Sequence, residues 1–209
     1  MVSLALILTG IFELGCVARI PRGDRPAHSI PLALVGLGLA YDSLVFGLGT
    51  LLGAGEPLHT LSTFRFIGHA VLTPLLAMWV TANLLGWPRA RARLLTLALL
   101  AWGVLADLPG LHLEPRAFAD TLRYTATAHA GPPIPALVVS LLVLIAGIRL
   151  WRSANWPWLA LAAVLLIGTA AAAALPPLGN AGEAVLLAAV VAAARRSEVG
   201  VARTGERLP

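Results

Sequence analysis

Seven apolar runs alternate with short polar breaks along the chain. The runs are Val2–Val17, Ile30–Leu52, Phe64–Leu85, Leu94–Leu111, Ile134–Leu150, Trp156–Leu175 and Leu178–Ala194. Each is about 16 to 23 residues, close to the length of helix that crosses a ~30 Å hydrocarbon core at ~1.5 Å per residue. None shows the two-residue alternation of a half-buried strand. The breaks carry Pro, Gly and Arg, as in "RIPRGDRPAHSIP", "GWPRARAR", "GPPIP", "RSANWPW" and "PPLGN". The pattern predicts an all-α polytopic membrane protein with seven transmembrane helices. "PPLGN" is the weakest break; without it the last two runs form one kinked helix.

The fourth break differs from the others. "LHLEPRAFADTLRYTATAHAGPP" is long and polar. A polar loop or an interfacial helix over residues 112–131 is expected there, placed as a lid. Arg116 and Arg123 are seven apart, so a helix would put them on one face. The domain is expected to span residues 1–195. The tail 196–209, "RSEVGVARTGERLP", has no apolar periodicity and is expected to be disordered on the cytoplasmic side.

Charge sets the expected orientation. Lysine is absent, so all 15 basic residues are arginine. Twelve of them fall in the first, third and fifth breaks and the tail: Arg19, Arg22 and Arg25; Arg89, Arg91 and Arg93; Arg149 and Arg152; and the four from Arg195 onward. By the positive-inside rule the N-terminus lies outside and the C-terminus inside, which independently requires an odd number of spans. Trp87, Trp151, Trp156 and Trp158 fall at the inferred inner boundary, where interfacial aromatics collect. A multi-pass protein of a bacterial inner (plasma) membrane is expected.

Composition agrees. Hydrophobic residues make up 58% of 209 and charged residues 12%, about half the charged fraction of a soluble domain. The pI near 10.9 raises nucleic acid as a partner, but the arginines form no continuous basic stripe, so none is expected. Membrane lipids are the expected surroundings. Cys16 is the only cysteine, which leaves no internal disulfide and no Cys-based metal cluster. "MVSLALILTGIFELGC" lacks the basic start of a signal peptide and reads as a retained first helix.

The charged and polar residues inside the runs are the candidates for function. Asp42, between Tyr41 and Ser43, lies about 18 Å along the second helix from its inner end. Arg65 and His69 are one turn apart near the outer end of the third helix. Asp107 is near the outer end of the fourth, and Asn180 and Glu183 near that of the seventh. A charged side chain at mid-bilayer costs at least ~2.5–3.5 kcal/mol, so these groups should turn inward and meet. The expected result is an outward-opening polar pocket lined by Tyr41, Asp42, Arg65, His69, Asp107, Asn180 and Glu183, with Arg116 and Arg123 from the lid. The bland expectation for the same residues is an Arg–carboxylate tether between helices, and for the two lid arginines, contact with lipid head groups. Glu13, in the inner half, is expected to be a tether.

Helix 3 resembles locally the third helix of microbial rhodopsins. The shared pattern is an arginine and an aromatic, Arg65-Phe66, followed by Thr73-Pro74-Leu75-Leu76. The resemblance implies seven helices with the N-terminus outside. It departs where Gly68 stands in place of a carboxylate counter-ion. The chain has no lysine for a retinal imine, so a Schiff-base photoreceptor or pump is chemically excluded.

Other chemistries are not matched. "RYTATAH" has the Arg-to-His spacing of membrane phosphatidic acid phosphatases but lacks the following aspartate. Three helix-borne histidines, as in zinc-dependent membrane hydrolases, are not expected, since only His69 falls inside a run. No GxSxG, HExxH or glycine-rich phosphate loop occurs. No cofactor and no metal site are expected.

The leading expectation is a protein that binds or moves a small lipid-like or apolar ligand with a polar head. Arg65 would contact the head, Asp42 and Glu183 orient it, and His69 tune its protonation. One alternative is a metal-independent intramembrane hydrolase or hydratase, with Asp42 or Glu183 as base and His69 as acid. A second is a structural membrane subunit.

Overall fold

The computed structural model describes residues 1–21, 26–127, 133–172 and 174–205. It is mostly helical. Seven α-helices are described: α1 (Val2–Ala18), α2 (Pro26–Leu52), α3 (Glu56–Asn83), α4 (Arg89–Trp102), α5 (Ile134–Ala154), α6 (Trp158–Ala171) and α7 (Pro176–Gly205). Strands β1 (Leu113–Phe118) and β2 (Thr121–Ala126) stand between α4 and α5. Four helical stretches are long and apolar enough to cross a membrane: Ser29–Leu52, Glu56–Asn83, Ile134–Ala154 and Pro176–Ser197. Val2–Ala18 and Trp158–Ala171 are apolar but shorter.

Short connections make chain neighbours antiparallel. Gly10 faces Leu44 and Gly36 faces Val17, which fixes α1 against α2. Tyr41 meets Leu61 and Gly38 meets Leu72, which fixes α2 against α3. Asn180 meets Asp42 and Leu187 meets Gly36, so α7 also runs opposite to α2, and parallel to α1. Helices α1 and α7 pack on each other and close the circuit, while α3 and α5 pack directly with α4 outside them.

Without a hydrophobic drive between helices in lipid, close approach depends on small residues. At Gly147 an added Cβ would lie 2.4 Å from the backbone nitrogen of Ala160, so α5 and α6 touch backbone to backbone. The shared core includes Trp79, Val80, Val143, Leu159 and Val190, all nearly or fully buried. Many side chains around the outside are large and apolar, including Leu94, Leu105, Trp158 and Val164. A water-facing helix would be polar there.

Several boundaries differ from those read in the sequence. Helix α3 begins eight residues before Phe64, because Pro57 in its first turn suits a helix start. His59 therefore lies on a helix, correcting the expectation that only His69 does. Helix α4 passes into a π-helical turn, Gly103–Asp107, before Pro109 stops it. At Gly103 the backbone approaches α3 so closely that a Cβ would lie 3.0 Å from the Ala70 carbonyl oxygen. Helices α6 and α7 are separate, with α7 starting at Pro176 inside "PPLGN". The tail expected to be disordered from residue 196 continues α7 to Gly205; residues 206–209 lie outside the described set.

The largest correction concerns the fourth break. Where a polar loop or an interfacial helix is expected, residues 113–126 form an antiparallel hairpin in which Phe118 pairs with Thr121 and Leu113 with Ala126, and residues 128–131 lie outside the described set. Arg116 and Arg123 are direct cross-strand partners. Spacing of seven would align two residues on a helix, and a two-residue hairpin turn opposes the same two positions. Pro115 is tolerated because a two-stranded hairpin has only edges.

Candidate functional site

The hairpin lies across one end of the helices, and its tip explains how it is held there. The Asp120 side chain accepts from the backbone N–H of Val2 at 2.8 Å and of Ser3 at 3.4 Å. It also pairs with the Met1 amino group. The Asp120 carbonyl accepts from the hydroxyls of Ser3 at 2.6 Å and Thr50 at 2.7 Å. One residue thus caps the start of α1 from a distance and ties it to the end of α2. The Met1 ammonium and the two N–H groups hold the Asp120 carboxyl down at about 2, below the ordinary carboxylate range.

Behind the tip, β2 presses onto α2 and α3. A Cβ on Gly49 would lie 1.7 Å from the Leu122 carbonyl oxygen, so only glycine admits the strand there. The Tyr124 N–H donates to the Ser62 hydroxyl at 3.4 Å, and the Tyr124 ring meets His59 edge-on at 5.0 Å.

Beneath β2, polar groups from three helices converge. Arg65 Nε donates to Asp42 Oδ1 at 2.7 Å. Asn180 Nδ2 donates to Asp42 Oδ2 at 2.7 Å and to Ser43 Oγ at 3.2 Å. Both carboxylate oxygens of Asp42 are thereby engaged. This linkage joins α2, α3 and α7 in a region where an unpaired charge is costly.

A cavity of about 450 Å³ opens beside this linkage. Its polar wall includes Asp42, Arg65, His69, Arg123, Asn180 and Glu183, and its apolar wall includes Phe66, Ala70, Leu108 and Ala136. The volume lies in the range of small-molecule sites, about 300–1,000 Å³. Arg123 enters from β2. Its guanidinium lies 4.7 Å from the centroid of Phe46, and that of Arg65 lies 5.7 Å from the same ring. Phe46 is fully buried, so its ring supports both cations in a setting poor in water. Burial and then the Arg65 charge draw the Arg123 guanidinium down to about 10, against the opposing pull of Asp42. It remains cationic at neutral pH.

Of the residues singled out from the sequence, Asp42, Arg65, His69, Asn180, Glu183 and Arg123 meet at this cavity. Tyr41 does not line it; its hydroxyl donates to the Leu61 carbonyl at 2.9 Å and ties α2 to α3. Arg116 is exposed on β1 and is not among the lining residues. Asp107 ends the π-helical turn, and its side chain lies outside the described residues, as does His129. Glu13, expected to act as a tether, is fully buried on α1 with the Ser43 hydroxyl of α2 beside it, though neither carboxyl oxygen has a hydrogen bond of good geometry among the described residues.

Phe46, Phe66 and Asp120 were not legible as site residues. Two read as ordinary apolar positions and the third as part of a loop. Among the described residues no three of His, Cys, Asp and Glu come together as metal donors. Compared with protein families, with curated proteins and with solved structures, the chain matches none.

Proposed function

We propose that the chain crosses an inner membrane seven times, N-terminus outside and C-terminus inside, and binds or moves a small lipid-like ligand in the cavity beneath the hairpin. The observation that carries this reading is the cavity itself, with a cluster of charged groups on one wall and an apolar surface on the other. That division suits a molecule with a polar head and an apolar body. The hairpin then acts as a lid on the outer side. Helix α6, about 21 Å long by itself, spans with help from its Trp and Pro flanks. The likeness of α3 to microbial rhodopsins enters only as shared architecture.

In the hydrolase reading the base would be Glu183, with His69 as acid, because both oxygens of Asp42 are committed to Arg65 and Asn180. The structural-subunit reading accounts for the Asp42–Arg65–Asn180 linkage but gives no reason for a cavity next to it.

Filling the cavity tests the proposal. Ala136→Trp places an indole in it. Small molecules extracted from purified wild-type protein and from this variant are compared by mass spectrometry. A compound enriched in wild type and depleted in the variant supports the reading. Identical extracts from two equally folded proteins contradict it. A membrane-impermeant maleimide tests the orientation, with Cys16 replaced by Ser. Cysteine at Ala119 should be labelled from outside, and cysteine at Ser153 only after lysis.

A further inference from the structure

Among the described residues, one ion pair forms at the cavity and Arg123 is outside it. Asp42 is matched by Arg65, and its second oxygen is taken by Asn180. Arg65 spends only Nε on that pair, leaving its two terminal nitrogens without a hydrogen-bond partner among the described residues. Arg123 has no carboxylate within ion-pair distance among the described residues. Its contact with the Phe46 ring is to a π-system, which leaves the guanidinium N–H donors without an oxygen acceptor. Two guanidinium groups held beside one buried ring, next to an apolar wall, are a fork for an oxyanion.

We propose that the ligand is an amphiphile with a carboxylate or phosphate head, gripped by Arg123 from the hairpin and by the terminal nitrogens of Arg65. The chain of the ligand lies along Phe66, Leu108 and Ala136. This inference rests on the binding function proposed above and adds the chemistry of the head. It also gives the hairpin a part in recognition: docking of β2 brings Arg123 to the site, so the lid closes with its own anchor. Glu183 lines the same cavity and, among the described residues, is the acid there that is not within ion-pair distance of an arginine; it therefore enters the test.

The test uses the full chain in lipid nanodiscs and three probes of one chain length: dodecanoic acid, dodecyl phosphate and dodecanol. Binding is measured by titration for wild type, Arg123→Gln, Arg123→Lys and Glu183→Gln. Wild type should hold the acid or the phosphate roughly 10- to 100-fold more tightly than the alcohol, the range of a charge-assisted contact. The tighter of the two anions identifies the head. Arg123→Gln should abolish the preference while dodecanol is still bound, which also shows that the pocket is intact. Arg123→Lys should recover part of the preference, and Glu183→Gln, which removes a negative charge from the same wall, should keep or increase it. Equal binding of anion and alcohol by wild type, or a preference that survives Arg123→Gln or vanishes in Glu183→Gln, overturns the inference while leaving the binding function standing. If no probe binds wild type, both fall.

Discussion

Asn180 and Asp42, 138 positions apart in the chain, meet at 2.7 Å between amide nitrogen and carboxylate oxygen. With Arg65 on the other oxygen, the contact binds the start of α7 to the middle of α2 and the N-terminal half of α3. The same three residues line the cavity.

Removing one member of this linkage should cost more than removing two. Asp42→Ala leaves the Arg65 guanidinium, itself 9% exposed, without its acceptor. The loss should be about 3 kcal/mol, the low end for a broken buried pair because Asp42 retains 24% exposure. The double variant Asp42→Ala/Arg65→Met should recover part of that loss. Unfolding in detergent, followed by circular dichroism, measures both.

Hairpin docking depends on a single missing side chain. Gly49→Ala should push Leu122 away and raise hydrogen exchange across residues 121–126. Gly15→Ala is the contrast: nothing lies within 4 Å of its Cβ, and α1 should gain about 1 kcal/mol of helix propensity.

The Asp120 contact should be sensitive to acid. Its folded-state value of about 2 lies below the ordinary carboxylate value of 3.8. Its contribution is therefore fully present above about pH 4 and is lost as pH falls toward 2. Exchange at Val2 and Ser3 should rise over that window in wild type and be raised at every pH in Asp120→Ala.

Glu13 should be replaceable at a gain. The Glu13 carboxyl is fully buried and the Ser43 hydroxyl beside it makes no hydrogen bond of good geometry to either oxygen; such a group costs about 1–3 kcal/mol. Glu13→Met keeps the volume and removes that cost, so the melting temperature should rise. A fall would assign Glu13 a partner.

The long-range part of the site was legible because of what hydrocarbon forbids. Asp42, Arg65, Asn180 and Glu183 stand in apolar runs, and an ionised or polar group in such a run must turn toward another. That constraint placed them together without any knowledge of the fold. The hairpin obeyed no such constraint. "LEPRAFADTLRYTA" has no Asn-Gly or Asp-Gly at its turn, and Ala119 takes the positive φ of 50° that glycine would announce. The spacing of Arg116 and Arg123 fits a helix face as well as a strand pair. The role of Phe46 was hidden for another reason: a buried phenylalanine is the commonest of core residues, and only the two guanidinium groups beside its ring distinguish it.

Native mass spectrometry of the intact protein released from nanodiscs addresses the account most directly. Wild type should carry one retained adduct of defined mass, and Arg65→Ala and Asp42→Asn should lose it while remaining folded. Wild type with no adduct beyond bulk lipid, or variants that keep the same adduct, would contradict a ligand site built on these residues.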